Sequence, residues 1–157
     1  MANDVFVLKV ALCGAKKIWR RIAIQGSQTL DDLHEAIFDA FDRDDPHMYS
    51  FFFPDKPTTS LRKIMDSPEV TCPFGAENPS PLAELFGDEP APNAAKARMD
   101  RLRLDPKQKF YYLFDFGDDW WHEITVEHTD APREKGQYPR IIEKHGESPP
   151  QYPDYDE

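Results

Sequence analysis

The chain has 157 residues, with 19 Lys and Arg against 29 Asp and Glu, for a formal net charge of −10 and a pI of about 4.9. That length suits one hydrophobic core, with no duplicated half to suggest two, and the acidic field disfavours a phosphate backbone as partner unless a local basic patch overcomes it. Two cysteines, Cys13 and Cys72, are too few for a disulfide framework or a complete cysteine metal knuckle.

Residues 5–13 alternate Phe6, Leu8, Val10 and Leu12 against Val5, Val7, Lys9 and Ala11, which predicts a strand with one apolar and one mixed face. A turn at Gly14 through Lys17 leads to a second strand, with Ile18, Arg20, Ile22 and Ile24 on one side and Trp19, Arg21 and Ala23 on the other. The basic cluster Lys16, Lys17, Arg20 and Arg21 falls here and reads as solvated side chains at a hairpin turn, so nucleic acid stays disfavoured. Thr29 caps a helix predicted over 29–42, with Asp32 at its third position. Its stripe is Leu30, Leu33, His34, Ile37, Phe38 and Phe41. Asp44-Asp45-Pro46 stops the pattern, and residues 47–53 read as a third strand.

Residues 54–92 hold eight of the fifteen prolines and read as an irregular, partly mobile crossover with short helical turns. A further helix is expected over 93–104, ended by Asp105-Pro106. An aromatic strand follows, with Phe110, Tyr112, Phe114 and Phe116 on one face, then a Gly117-Asp118 turn and a returning strand through His122, Ile124 and Val126. Trp120 and Trp121 should point to opposite faces. Residues 138–142 supply an edge strand. The expected fold is one α+β domain over 1–146, a β-hairpin followed by a packing helix and further strands in a mainly antiparallel or mixed sheet, with a β-grasp-like opening order. Residues 147–157 form an acidic, proline-containing tail. The central apolar contact is assigned to Leu33, Ile37, Phe41, Phe110, Phe114 and Phe116, with Trp19 inside it or at its edge.

Met1-Ala2-Asn3-Asp4 runs directly into Val5, and no apolar run is long enough to span a bilayer, so the reading is cytoplasmic, with no membrane partner. The aromatic hairpin places Asp115 and His122 near its mouth, with His47 facing them, where the carboxylate would orient the imidazole. Two readings stay open, a polar cluster that holds the fold and a functional site. For catalysis the candidates are Asp115, Asp118 and His122, with Asp118 or Asp119 managing a proton. For a metal they are His34, His47, Asp115, Asp118 and His122, whose nitrogen and oxygen donors suit zinc or another divalent ion, although their spacing matches no tight motif. Cys72 before Pro73 is a nucleophile candidate set against a structural thiol. No Gly-x-Ser-x-Gly elbow is present. No cofactor other than that divalent metal is called for, and enzyme status and oligomeric state stay open.

Ile18-Trp19-Arg20-Arg21-Ile22, the leucine-led helix from Leu30 to His34, Asp45-Pro46-His47-Met48-Tyr49 and above all Asp115-Phe116-Gly117-Asp118-Asp119-Trp120-Trp121-His122 together resemble the plasmid pRiA4b ORF-3-like family. The resemblance covers much of residues 5–142 and implies an α+β domain, with some members associated with plasmid or mobile-element contexts. It does not imply DNA binding. The family's Tyr-Pro-Arg-Cys and Cys-Pro-Pro-Glu-Asp segments stand here as Tyr138-Pro139-Arg140-Ile141 and Ser148-Pro149-Pro150-Gln151-Tyr152. Both cysteines are absent, so no thiolate site carries over. The functional reading is an interaction or accessory module with a protein partner, and the alternative is a small metal-assisted hydrolase.

Overall fold

The computed structural model describes residues 4–43, 46–77, 92–115 and 120–149. Strands β1 (Val5–Leu12) and β2 (Ala15–Gln25) form the opening hairpin, in register from Val5 opposite Gln25 to Ala11 opposite Trp19. Gly14 takes φ +85 in the turn between them, a conformation costly for any residue with a Cβ. The helix α1 (Leu30–Ala40) begins at a capping box: Asp32 N–H donates to Thr29 Oγ1 at 3.2 Å and Thr29 N–H to Asp32 Oδ2 at 2.9 Å. Then come β3 (Tyr49–Phe52), α2 (Leu61–Met65), β4 (Glu69–Thr71), α3 (Pro73–Glu77), β5 (Lys109–Phe114), β6 (Trp120–Ala131) and β7 (Arg140–His145).

Among the described residues the strands make one seven-stranded sheet in the order β4-β3-β5-β6-β1-β2-β7, and every strand pair in it is antiparallel. Period-two patterning gives the sheet two apolar faces. On one, Phe6, Leu8, Val10, Ile22, Ile24, Phe110, Tyr112, Phe114 and Ile124 meet Leu30, Leu33, Ile37 and Phe41. On the other, Phe52, Tyr111 and Leu113 meet Ile64 of α2 in a smaller cluster. Trp120 packs on the first and Trp121 on the second, the split that adjacent strand positions require.

Three expectations change. Residues 93–104 form two 3₁₀ turns, Ala94–Lys96 and Met99–Arg101, in place of one helix. Their backbone groups bond outward, Leu30 N–H to Ala97 C=O at 2.9 Å and Met99 N–H to Gln28 C=O at 2.8 Å, and only Ala94 and Met99 are buried in the turns, a spacing with no continuous helical face. The crossover carries a strand, β4, paired to β3, while its residues 78–91 lie outside the described set, as does Phe116. Trp19 belongs to neither core. It lies on the face away from α1, stacked on His145 at 5.3 Å, with Lys9 Nζ and Arg21 Cζ each 4.9 Å from its ring.

The basic cluster of β2 divides: Lys16 and Lys17 are exposed at the hairpin end, as expected, whereas Arg20 and Arg21 are drawn in. Arg21 pairs with Glu127 and Glu143, Lys16 pairs with Glu123, and Arg20 is 2% exposed. Arg20 Nε donates to Ala40 C=O at the end of α1 (2.8 Å), Nη1 to the carbonyls of Trp19 (2.8 Å) and His145 (3.0 Å), and Nη2 to Ser148 Oγ (2.9 Å). It thus ties the helix terminus, β2 and the segment after β7 together, so Ser148 is held even though residues 150–157 are outside the described set. Arg20→Lys keeps the charge but loses the planar fork. It is expected to cost about 2 kcal/mol in urea unfolding, with faster amide exchange along β7.

Candidate functional site

Four buried polar residues, His34, Arg43, Asp115 and His122, gather between α1 and the β3, β5 and β6 strands. The route begins with a Schellman motif. Phe41 caps α1, Asp42 takes φ +54, and Asp42 N–H bonds Asp39 C=O at 3.1 Å while Arg43 N–H bonds Phe38 C=O at 3.1 Å. The reversal sends Arg43 back over the helix end, where it is 6% exposed, its Cζ lying 5.3 Å from the Phe41 ring, 5.1 Å from Phe114 and 5.2 Å from Trp120. Burial lowers its pKa to about 10, so it stays charged at neutral pH.

His122 stands in β6 between Tyr112 of β5 and Leu12 of β1, and has no exposed surface. Its Nε2 lies 3.0 Å from Arg43 Nη2, which can only donate, and its Nδ1 lies 3.2 Å from Tyr112 C=O, which can only accept. The partners therefore fix a neutral imidazole with its proton on Nδ1. Burial first, and the Arg43 charge second, hold its pKa well below the ordinary histidine value.

His34 stacks on Tyr49 at 3.8 Å and hydrogen-bonds the Tyr112 hydroxyl through Nδ1 at 2.6 Å, while the Tyr49 hydroxyl donates to Asp31. Burial, aided by Arg43, pushes the His34 pKa down to about 3. Burial and the Asp31 hydrogen bond raise that of Tyr49, and burial raises that of Tyr112.

Asp115 follows β5 in the left-handed region at φ +63, a conformation that a short polar side chain tolerates, and its N–H extends the β3–β5 ladder to Met48 C=O at 2.9 Å. Its carboxylate is 3.4 Å from His47 Nε2, and His47 sits edge-on to Phe114 at 5.8 Å. A shallow apolar depression of about 360 Å³, lined by Pro46, His47, Met48, Cys72, Pro73 and Phe74, opens beside this rim.

The structure thus brings His47 to Asp115, as expected, but orients His122 through Arg43 and the Tyr112 carbonyl instead of through Asp115. The reason is the hairpin register, which sets His122 directly across from Tyr112 inside the sheet. Asp118 and Asp119 lie outside the described residues. No group of three His, Cys, Asp or Glu side chains among the described residues is arranged to hold a metal ion. Cys72 is buried in the main core, as a structural thiol would be. Arg43 was missed by the sequence reading, because an arginine among Asp42, Asp44 and Asp45 reads as a solvated charge. The signal was the chain reversal after Phe41.

No helix among the described residues is long and apolar enough to cross a membrane. Over 152 residues the chain is 28% identical to the protein named "Uncharacterized protein y4hQ" of Sinorhizobium fredii (strain NBRC 101917 / NGR234), spanning 96% of this chain and 67% of that one. The crystal structure of a protein of unknown function, MM3350 from Methanosarcina mazei Go1, superposes with a TM-score of 0.70 at 25% identity, covering 96% of this chain and 74% of that chain. The family model described as plasmid pRiA4b ORF-3-like protein matches residues 4–152, and this chain belongs to that family.

Proposed function

We propose that the protein is an interaction or accessory module of plasmid or mobile-element systems, recognising a partner protein with the rim formed by His47, Asp115 and the apolar depression beside them. The observation that carries this reading is the state of the two central imidazoles. A general acid or base works best with a pKa near the operating pH, whereas burial has moved His34 down to about 3 and His122 well below its ordinary value. Both act as fixed hydrogen-bonding parts of the interior. Beside the rim Phe74 is 64% exposed, an apolar contact for a partner. In the same reading, the opening hairpin and helix are a β-grasp-like beginning, with the aromatic hairpin placed between β3 and β1.

The test is to identify a partner by cross-linking from the native host, purify it, and measure its affinity for wild type, Asp115→Asn and Phe74→Asp. Both variants are expected to bind at least tenfold more weakly, with unfolding midpoints near wild type. Asn tolerates the left-handed backbone at position 115. Equal affinity for all three chains would remove the rim from the reading. A substrate turnover lost in Asp115→Asn with partner binding intact would replace it with catalysis.

A further inference from the structure

Arg43 is left with a donor unused. Its Nη2 is taken by His122, a neutral acceptor, while Nη1 has no acceptor among the described residues and is sealed from solvent. The indole stacked beneath it repeats the pattern, since Trp120 Nε1 is also buried without an acceptor among the described residues. Three aromatic faces surround the cation, and such contacts offset only part of the cost of desolvating a full charge. Two orphaned N–H groups on one stacked pair, one of them charged, is an arrangement that a native interior seldom leaves unanswered.

We propose that the Arg43–Trp120 pair is a binding site for a carboxylate, whose oxygens accept from Arg43 Nη1 and Trp120 Nε1. The charge count favours a single negative charge over a phosphate dianion, because His122, which accepts from the guanidinium, brings no second cation, and burial likewise keeps His34 neutral. A planar carboxylate also matches donors at the rim of a guanidinium–indole stack. Both nitrogens are closed to solvent, so uptake requires local opening and bound and free forms exchange slowly. The site stands apart from the partner-binding reading, since a carboxylate would occupy it whether or not the His47–Asp115 rim recognises a protein.

The test is to titrate acetate, benzoate, and a short peptide with a free carboxyl end or its amidated form into the protein at neutral pH. The Trp120 indole N–H and the Arg43 side-chain N–H resonances are followed, with sodium chloride and inorganic phosphate at matched ionic strength as controls. The expected result is a saturable new set of both resonances with a carboxylate and none with chloride or the amidated peptide. Acetate or benzoate alone identifies a small acid, and the acid peptide alone identifies a chain terminus. Trp120→Phe keeps the ring, deletes the N–H and is expected to weaken binding about tenfold with the fold intact, and Arg43→Gln is expected to abolish it. No saturable response, the same response with chloride, tighter binding of phosphate, or undiminished binding by Trp120→Phe would each overturn the proposal.

Discussion

Urea titrations repeated between pH 7 and pH 4 are expected to show stability falling below about pH 6, with His34 supplying up to about 1.4 kcal/mol per pH unit and His122 adding to the slope in the same direction. The sign follows from where the protons go. The folded protein holds both imidazoles neutral, His34 down to about 3 and His122 well below its ordinary value, whereas the unfolded chain protonates them near pH 6.5. Their contribution is therefore complete above that pH and is lost as the pH falls toward the folded values. Two units of acid would remove about 2.5 kcal/mol through His34 alone, a large share of the stability of a modest domain, and His122 adds to the loss in the same direction. Glu123, where burial is outweighed by Lys16 and Lys109, and Glu127, bonded by Arg21, also have lowered pKa values, but their loss begins only near about pH 4.3. His34→Gln should remove up to about 1.4 kcal/mol per pH unit of the slope between pH 6 and pH 5, and His122→Gln should also flatten it. An unchanged slope in both would show that neither histidine is held neutral by the fold.

Phe114→Ala is expected to cost about 3–5 kcal/mol and to lower Tm by on the order of 10 °C. Phe114 has no exposed surface and lies at the meeting point of the helix, the sheet and the polar interior. Its ring centroid is 5.9 Å from Phe38, 6.1 Å from His34, 5.8 Å from His47 and 6.4 Å from Tyr112, with Arg43 over its face. Truncation opens a cavity and also removes one wall around a buried cation, so the loss should fall in the upper part of that range. Lys144→Ala on the exposed side of β7 is the control, with a change within about 0.5 kcal/mol. Equal, small changes in chemical unfolding would place Phe114 outside the cooperative core.

The opening hairpin and helix were legible because their patterns are long and unmixed: eight alternating residues in β1, then an eleven-residue amphipathic helix entered through Thr29 and Asp32. The aromatic hairpin was legible for the same reason. Its face assignments hold from Phe110 to Phe114, and again where Trp120 and Trp121 part. β4 was hidden because three residues between Pro68 and Pro73 carry no periodicity, and its place is set by pairing with β3. Arg20 and Arg43 show the limit most clearly. Charge alone assigns both to solvent, yet each is drawn inside by acceptors or rings that come from elsewhere in the chain: Ala40 and His145 for Arg20, and Phe114, Trp120 and His122 for Arg43. Identical reasoning brought His122 correctly to the hairpin but assigned it the wrong partner. Strand register, not residue type, decides which side chain an imidazole meets.

The place of β6 in the sheet bears on how the chain comes to be folded at all. Its neighbours are β5 and β1, so Val5 lies across from Ala131 and Leu12 from His122. During synthesis the first hairpin and its helix leave the ribosome with the β1 flank uncovered, and they wait until Trp120–Ala131 has been made before the strand that closes it arrives. Contacts of such sequence separation form slowly, since a long loop must close before they repay it. The unpaired edge of Val5–Leu12 is consequently a stretch exposed to wrong pairing in the nascent protein, and one that a chaperone would do good by shielding.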